Sequence, residues 1–261
     1  MFPLKDNIAT RRFPILTVAL IAINVVMYFG FQGGGLGLPS DDTKSIEYGA
    51  IPYEISHPGD QCVITPDGTR SGCGDAQAIE DATGETLPPT WLTLLTSMFM
   101  HGSILHLAGN MLFLWIFGNN IEDSMSRWRF ALFYLAGGLV ALLAQTAIDT
   151  EAAVPTIGAS GAVAAVLGGY ALLYPRARVV TLILIIVFFT VVELPALLVL
   201  GAWFLLQVLY GSAELAQPVG DGGGVAFFAH IGGFLFGLVL IRLFANKIHE
   251  DYDRPQRLPV Y

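Results

Sequence analysis

The sequence predicts an all-α membrane protein built as a bundle of six helices. Its 261 residues are 54% hydrophobic and only 13% charged, whereas a soluble globular domain carries about 25% charged residues. So few charges do not cover a water-facing surface of this size, which disfavours a soluble enzyme and a disordered or fibrous chain. A net charge of -8 without a basic stripe also disfavours nucleic-acid binding.

Six apolar segments support this fold class, because a helix needs about 20 mainly apolar residues to cross a bilayer. In chain order they are Pro14–Phe31, Ser103–Ile121, Phe130–Ile148, Ile157–Tyr174, Leu194–Tyr210 and Val225–Ala245. The first follows basic residues, as the core of a signal peptide would. Its apolar run is longer than such a core, so we expect a retained helix.

The basic residues predict the orientation of the helices. All but two of the thirteen Lys and Arg residues fall on one side of this topology, and the exceptions are Lys44 and Arg70. The positive-inside rule then places both termini in the cytoplasm, which requires an even number of crossings. The apolar stretch Val179–Val192 could be a seventh span, a re-entrant segment or an interfacial one, and the even number predicts that it does not cross on its own. The expected parts are a cytoplasmic N-terminus (1–13), a membrane domain (14–245) and a disordered cytoplasmic tail (246–261).

The segment 33–90 is the only long part predicted outside the membrane. It holds ten acidic residues against two basic ones and is rich in Gly and Pro, which predicts an irregular external loop. Both cysteines, Cys62 and Cys73, lie here, where a disulfide can persist. The alternatives are a disulfide and two free thiols. A metal site that includes His57 is disfavoured, because no paired ligand spacing supports it.

Four polar residues within the predicted spans are candidates for function, since such residues are costly in a bilayer. They are His106, Asn110, Ser160 and His230. The topology places all four just below the outer surface, with Ser160 about one turn into its helix. Each alone has an ordinary explanation, such as a serine bonded to its own helix or a histidine that bridges two helices. Their common depth favours a site.

Small residues accompany the serine and the histidine along their helices. One small stripe is Ser160, Ala164 and Gly168, and the other is His230, Gly233 and Gly237. Such stripes let two helices approach closely in a bilayer, which would bring the serine hydroxyl to the imidazole. A serine beside a histidine is an activated nucleophile. We find no Asp or Glu at this depth, so the sequence predicts a dyad and not a triad.

Further groups could stabilise the oxyanion of an acyl-transfer reaction. The run Gly158-Ala159-Ser160-Gly161 places Ser160 near a helix N-terminus, where backbone N–H groups are free. His106 and Asn110 share a helix face at i, i+4 and could donate further hydrogen bonds. Glu122, near Arg127 and Arg129, is expected to form an interfacial salt bridge or a cap.

With these motifs the sequence resembles the rhomboid family of intramembrane serine proteases. The matching runs are Phe99–Gly102 and His106–Met111, then Gly158–Gly161, then Ala229–Gly233 with Gly237. Gly118-Asn119-Asn120-Ile121-Glu122 is similar to the family's Gly-x-x-x-Glu after the second helix. The motifs occur in the family's order over roughly residues 92–244.

The resemblance implies a role for each matching residue and no cofactor. Ser160 would be the nucleophile and His230 the general base, and His106 and Asn110 would bind the oxyanion together with the Ser160 N–H. Gly158, Gly161, Gly233, Gly237 and Glu122 would be structural. Two positions depart from the family: Trp91-Leu92-Thr93 lacks the arginine of a Trp-Arg pair, and Ala164 stands where some members have an aromatic residue.

The expected function is therefore hydrolysis of a peptide bond in a transmembrane protein substrate, near the outer face of the bilayer. The expected location is a prokaryotic cell membrane, with several spans and a site that opens to the extracytoplasmic side. One alternative is an inactive relative that binds membrane-protein clients. A transporter is disfavoured, because the sequence has no internal repeat and no acidic residue at the depth of the candidate site.

Overall fold

The computed structural model describes residues 2–36, 42–64, 70–84, 86–185, 188–215 and 225–246. Apart from Asn246, the predicted tail 246–261 lies outside the described residues. The described part of the chain is mostly helical. This agrees with the predicted fold class.

The described residues form eleven helices, α1 to α11 in chain order. The first seven are α1 (Ile15–Val26), α2 (Asp42–Glu47), α3 (Pro52–Ser56), α4 (Ala76–Thr83), α5 (Thr90–Thr96), α6 (Ile104–Phe113) and α7 (Asn119–Asp123). The others are α8 (Arg127–Thr146), α9 (Ser160–Leu173), α10 (Ala196–Leu215) and α11 (Phe227–Phe244). A π-helical turn over Met27–Phe31 extends α1, and a second one over Leu114–Gly118 joins α6 to α7. A 3-10 turn over Ser97–Phe99 follows α5.

The strands form two small antiparallel sheets. In the first, β4 (Arg178–Ile185) lies between β1 (Phe2–Asp6) and β5 (Phe188–Pro195). The second is the hairpin of β2 (Asp60–Ile64) and β3 (Arg70–Asp75). Most of the stretch Val179–Val192 thus lies in strands β4 and β5, and an open sheet does not cross lipid because its edge groups stay unpaired. This agrees with the prediction that the stretch does not cross on its own.

Four helical runs in the described part are long and apolar enough to cross a membrane. They are Ile104–Asp123, Arg127–Thr146, Ala196–Leu215 and Phe227–Phe244. The first and fourth of the six predicted segments correspond to shorter helical runs, Ile15–Phe31 and Ser160–Leu173. The six-span topology therefore stays a prediction.

The fourth predicted segment differs most from its expected form. Its helix α9 has 14 residues and is about 21 Å long at 1.5 Å per residue, against a hydrocarbon core of about 30 Å. All of its residues except Ser160 and Leu172 are buried. Because neighbouring helices surround α9, its length does not have to match the lipid.

Close contact between α9 and α11 is the centre of the bundle, and it involves Gly168 of the first predicted small stripe and Gly233 and Gly237 of the second. A Cβ atom at Gly233 would collide with the carbonyl oxygen of Gly161, and one at Gly237 would collide with that of Ala165. A Cβ at Gly168 would meet the Phe234 carbonyl oxygen in the same way. The predicted packing of these helices is present in the structure, and it is close enough to require glycine.

The predicted irregular external loop has more structure than expected. Its described residues form α2, α3, the β2–β3 hairpin and α4, and a disulfide joins Cys62 to Cys73 across that hairpin. Local signals explain α4, since the Asp75 side chain accepts a hydrogen bond from Ala78 N at 3.0 Å and Gly84 ends the helix with φ 72°. The high charge and many glycines of this segment predicted an irregular loop, so these short elements were missed.

Candidate active site

The first turn of α6 holds His106 in place through its cap. The Ser103 hydroxyl accepts a hydrogen bond from His106 N at 3.1 Å, as a serine before a helix commonly does. The His106 ring packs edge-on against His101, with 5.0 Å between the ring centroids. His101 is fully buried, and its backbone N–H donates to Gln32 Oε1 at 2.9 Å. The end of the first helical run therefore anchors the segment that supports His106.

Ser160 lies at the start of α9. It is the first residue of the helix, so the prediction of a position one turn inside it was wrong. The helix begins late because Gly158, with φ 125°, adopts a backbone conformation that favours glycine, and its N–H donates to Ser97 O at 2.8 Å. The first four N–H groups of a helix have no partner within it. Ser160 therefore lies among free donors, as predicted.

The backbone of Gly158 lies close to both His106 and Ser160. The point where its Cβ would lie is 2.8 Å from His106 Nε2 and 3.5 Å from Ser160 Oγ. One point thus borders both the imidazole and the hydroxyl. Two of the sequence-predicted site residues are brought together here, and only glycine, which has no Cβ, fits at this position.

Asn110 lies one turn after His106 on α6. Its side chain is 8% exposed. Its Nδ2 atom is buried and has no hydrogen-bond partner in the part of the chain that the structure describes. A buried amide donor without a partner costs free energy, and it is available to bind a negatively charged oxygen.

His230 lies in the first turn of α11, where two other helices form hydrogen bonds to α11. The backbone N–H of the preceding residue, Ala229, donates to Gln145 Oε1 of α8 at 3.1 Å. The ring nitrogen Nδ1 of His230 lies 2.8 Å from Gln207 Oε1 of α10. Ser160 directly precedes Gly161, and His230 lies about one turn before Gly233. Both residues therefore flank the contact between α9 and α11.

Gln207 and Trp203 of α10 are the neighbours of His230 that the sequence reasoning missed. The Trp203 ring packs on His230 at 5.7 Å between centroids, so the aromatic contact comes from α10 and not from position 164 of α9. The search for an orienting group considered only Asp and Glu. Gln207 is a polar residue inside an apolar span, and the rule that identified the other four residues would have found it as well.

Glu122 lies at the far end of the helical run that begins with α6, and both of its carboxylate oxygens accept hydrogen bonds. Its Oε1 accepts from Leu16 N at 3.1 Å, and its Oε2 accepts from Thr17 N at 2.8 Å and from the Thr17 hydroxyl at 2.9 Å. Of the two expected roles, salt bridge and cap, the structure gives the cap, here of helix α1. Arg12 pairs with the neighbouring Asp123 instead, at 3.1 Å.

Comparison with known protein families agrees with this arrangement. The family model for the rhomboid domain matches residues 88–247, which is more than half of the chain. The chain belongs to the rhomboid family. Within the described residues this rhomboid has no group of three or more His, Cys, Asp or Glu side chains that could hold a metal ion.

Three relatives of this rhomboid illustrate the similarity. It is 32% identical over 173 residues to rhomboid protein 1, mitochondrial, of Saccharomyces cerevisiae, a match that covers 64% of the chain and 45% of the yeast protein. It is 29% identical over 156 residues to presenilin-associated rhomboid-like protein A, mitochondrial, of Danio rerio, covering 56% of the chain and 36% of the relative. It is 42% identical over 84 residues to the rhomboid protease GluP of Bacillus subtilis, covering 32% and 16%.

These names correct one expectation. The yeast and zebrafish relatives, and a mouse relative at 29% identity, are named as mitochondrial proteins. The predicted location in a prokaryotic cell membrane is contradicted by this finding. It rested on the sequence having no recognisable transit peptide, which is a weak basis for a location. The matches span less than half the length of the yeast and zebrafish relatives.

Proposed function

We propose that this rhomboid is an intramembrane serine endopeptidase in which Ser160 is the nucleophile and His230 the general base. One observation carries the proposal. The contact of Gly161 with Gly233 joins the start of α9 to the start of α11, and each start carries one member of the pair. The name of the Bacillus relative, a rhomboid protease, agrees with this activity.

The proposed reaction begins when Ser160 Oγ attacks the carbonyl carbon of the scissile peptide bond. His230 accepts the hydroxyl proton as the new C–O bond forms. The resulting oxyanion would bind to the free N–H at the start of α9, to the unpaired Asn110 Nδ2 and to His106. Such donors stabilise the transition state because they are in place before the charge develops.

The second half of the reaction releases both products. His230 returns its proton to the leaving amine as the C–N bond breaks, which leaves an acyl-enzyme on Ser160. A water molecule then attacks the acyl carbon, with His230 accepting its proton. His230 returns this proton to Ser160 Oγ as the ester C–O bond breaks, which regenerates Ser160 and releases the product with its new carboxyl group. The chain needs no cofactor for these steps.

The proposed substrates are transmembrane segments of membrane proteins, close to the outer face of the bilayer. In a transmembrane helix every peptide N–H and C=O is hydrogen-bonded within the helix. The peptide bond must therefore leave its helix before Ser160 can attack it. We expect cleavage near helix-breaking and small residues, which make this local unwinding less costly.

The proposed membrane arrangement keeps the six spans and places both termini on one side. Its support is the position of the basic residues and the four long apolar helices already described. The membrane domain would extend over residues 14–245, with 33–90 on the side where the site opens. The mitochondrial names of the relatives favour a mitochondrial membrane.

The test is cleavage of a labelled single-span substrate by the purified protein in liposomes. Wild type is compared with Ser160→Ala and His230→Ala, and circular dichroism verifies that all three are folded. We expect cleavage by wild type alone. Full cleavage by either variant would overturn the proposed mechanism. Binding of the substrate by a folded wild type that cuts no tested substrate would favour the client-binding alternative.

A further inference from the structure

Helix α10 faces α11 with a narrow strip of its surface and exposes most of the rest. Its large exposed apolar side chains are Leu197, Leu198, Leu205, Leu206, Val208, Leu209, Tyr210 and Leu215. The strip that packs on α11 includes Phe204, whose ring stacks on Phe234 with 4.5 Å between centroids. Trp203 and Gln207 lie on the same strip, one turn apart. Gln207 is the polar member of this otherwise aromatic contact.

The amide of Gln207 has a defined orientation. Its Nε2 donates to the carbonyl oxygen of Trp203 at 3.3 Å, and a carbonyl oxygen accepts hydrogen bonds but does not donate them. The amide nitrogen is therefore on that side, and Oε1 faces His230 Nδ1 at 2.8 Å. An amide oxygen also only accepts, so Nδ1 of His230 must carry the proton.

The position of this proton determines what the other ring nitrogen can do. A neutral imidazole has one N–H and one nitrogen with a free lone pair. If Nδ1 is protonated, Nε2 is the base. Gln207 is 8% exposed and His230 is 9% exposed, and water therefore does not readily replace a lost partner for either.

We propose that Gln207 is a positioning residue that holds His230 in the tautomer with protonated Nδ1 and basic Nε2. The inference rests on the proposed function, since it assigns the group that orients the general base. Gln207 takes the place of the carboxylate in a catalytic triad, because its neutral amide oxygen accepts the hydrogen bond from the histidine. Because Gln207 belongs to α10 and His230 to α11, the reactive tautomer also depends on α10 being packed against α11.

The direct test is 15N NMR of the full-length protein in detergent micelles with 15N-labelled histidine. The His230 signals are identified by their loss in His230→Gln. We expect wild type to show a protonated Nδ1 and an unprotonated Nε2. The opposite assignment in wild type would overturn the proposal, and this measurement needs neither substrate nor turnover.

Three variants separate positioning from packing. Gln207→Met keeps an unbranched side chain of similar length but removes the acceptor. Gln207→Glu keeps an acceptor oxygen toward Nδ1. The matched control is Gln145→Met, which removes another glutamine that bonds to α11, but through the backbone of Ala229.

For Gln207→Met we expect mixed tautomer signals and a kcat about tenfold lower, with KM within about twofold of wild type, which is the effect of losing one hydrogen bond. Gln207→Glu should restore kcat to within about threefold of wild type. Gln145→Met should lower the unfolding temperature and leave the His230 signals unchanged. Unchanged tautomer signals and kcat in a folded Gln207→Met would overturn the proposal. No cleavage by wild type, with the expected tautomer present, would instead contradict the proposed function alone.

Discussion

Polar groups lie near both ends of the helical run Ile104–Asp123, but the two ends differ in whether these groups have hydrogen-bond partners. At the end of the run, both Glu122 oxygens accept hydrogen bonds from the first turn of α1. Near its beginning, Asn110 Nδ2 is buried without a partner among the described residues. At the same end, the backbone of Gly158 lies so close to His106 that a Cβ atom would collide with the ring. Asn110 and Glu122 are twelve residues apart, which is about 18 Å along the helical run.

The difference distinguishes a structural polar cluster from a candidate site. A cluster that stabilises the fold pairs its donors and acceptors, because unpaired buried groups cost about 1–3 kcal/mol each. A site for a transient oxyanion has to keep donors unpaired until the charge appears. By this criterion Glu122 holds the helices together, and Asn110 Nδ2 is the candidate donor for the proposed oxyanion. Asn120 Oδ1, at the Glu122 end, is also buried without a described partner, but an amide oxygen only accepts hydrogen bonds and therefore does not bind an oxyanion.

The largest expected effect comes from substituting the polar residue at each end in turn. Asn110→Ala should lower the cleavage rate about 10²–10³-fold, as loss of an oxyanion donor does. Its unfolding temperature should stay within a few degrees of wild type, because Nδ2 has no described partner to lose. Glu122→Gln should instead lower the free energy of unfolding by about 1.5–3 kcal/mol, since it weakens charge-assisted hydrogen bonds.

Initial rates per folded molecule and thermal unfolding in detergent would measure both variants. In Glu122→Gln the rate per folded molecule should equal that of wild type. Equal losses of stability in the two variants would remove the distinction between the ends.

Placing a methyl group at Gly158 should have the next largest effect. Gly158→Ala places a methyl group 2.8 Å from His106 Nε2, so we expect cleavage to fall about 100-fold or more. The matched control is Gly72→Ala, since Gly72 has a similar φ of 131° but no atom within 4 Å of its Cβ position. Gly72→Ala introduces backbone strain without a collision, so this variant should cleave the substrate at the wild-type rate. Equal rates for wild type and Gly158→Ala would show that cleavage does not depend on the close approach of Gly158 to His106.

A substitution where α9 meets α11 away from the site should change the stability of the protein more than its cleavage rate. Gly237→Ala would drive a methyl group against the Ala165 carbonyl oxygen and should cost about 3 kcal/mol of unfolding free energy, at the upper end for overpacking. Gly201→Ala, on α10 with open space around its Cβ position, is the control. It should be neutral or stabilise by up to about 1 kcal/mol. Denaturant titrations in detergent would compare the two, and equal stability would contradict the close packing.

The smallest effect concerns pH and the carboxyl of Asp6, which lies before the membrane domain. Its Oδ2 accepts from the Tyr170 hydroxyl at 2.7 Å and from Asn120 Nδ2 at 2.6 Å. Burial raises the pKa of Asp6 from 3.8 to about 6, against the lowering effect of the Tyr170 bond. The folded state then binds more protons than the unfolded state between these two values, so stability falls as pH rises through this window.

Unfolding at about pH 4 and about pH 7 tests this assignment. Asp6 should contribute a loss on the order of 2 kcal/mol to wild type over this range, and Asp6→Asn should lack this contribution. An identical pH dependence in both proteins would contradict it.

Much of the candidate site was predictable because its residues carry local signals. Ser160 and His230 are polar residues within apolar segments, and the small stripes beside them predicted the contact between α9 and α11. The glycine before Ser160 also indicated a helix start. These signals act within one helix or between two regular helix faces, where sequence spacing translates directly into position.

What the sequence did not predict depends on contacts between distant elements. Gln207 reaches His230 from a helix whose rotation only packing determines. The late start of α9 follows from the bond between Gly158 and Ser97, 61 residues earlier in the chain. Strand β4 pairs with β1, and its apolar residues had no periodicity that distinguished a strand from a helix.

The most direct test of the central claim is labelling by a fluorophosphonate probe, with the adduct located by peptide mass spectrometry. The probe is applied to wild type, Ser160→Ala and Glu122→Gln, each verified as folded. The account predicts one adduct, on Ser160, in wild type and in Glu122→Gln, and none in Ser160→Ala. Labelling that persists in Ser160→Ala, or a folded wild type that the probe leaves unmodified, would contradict it.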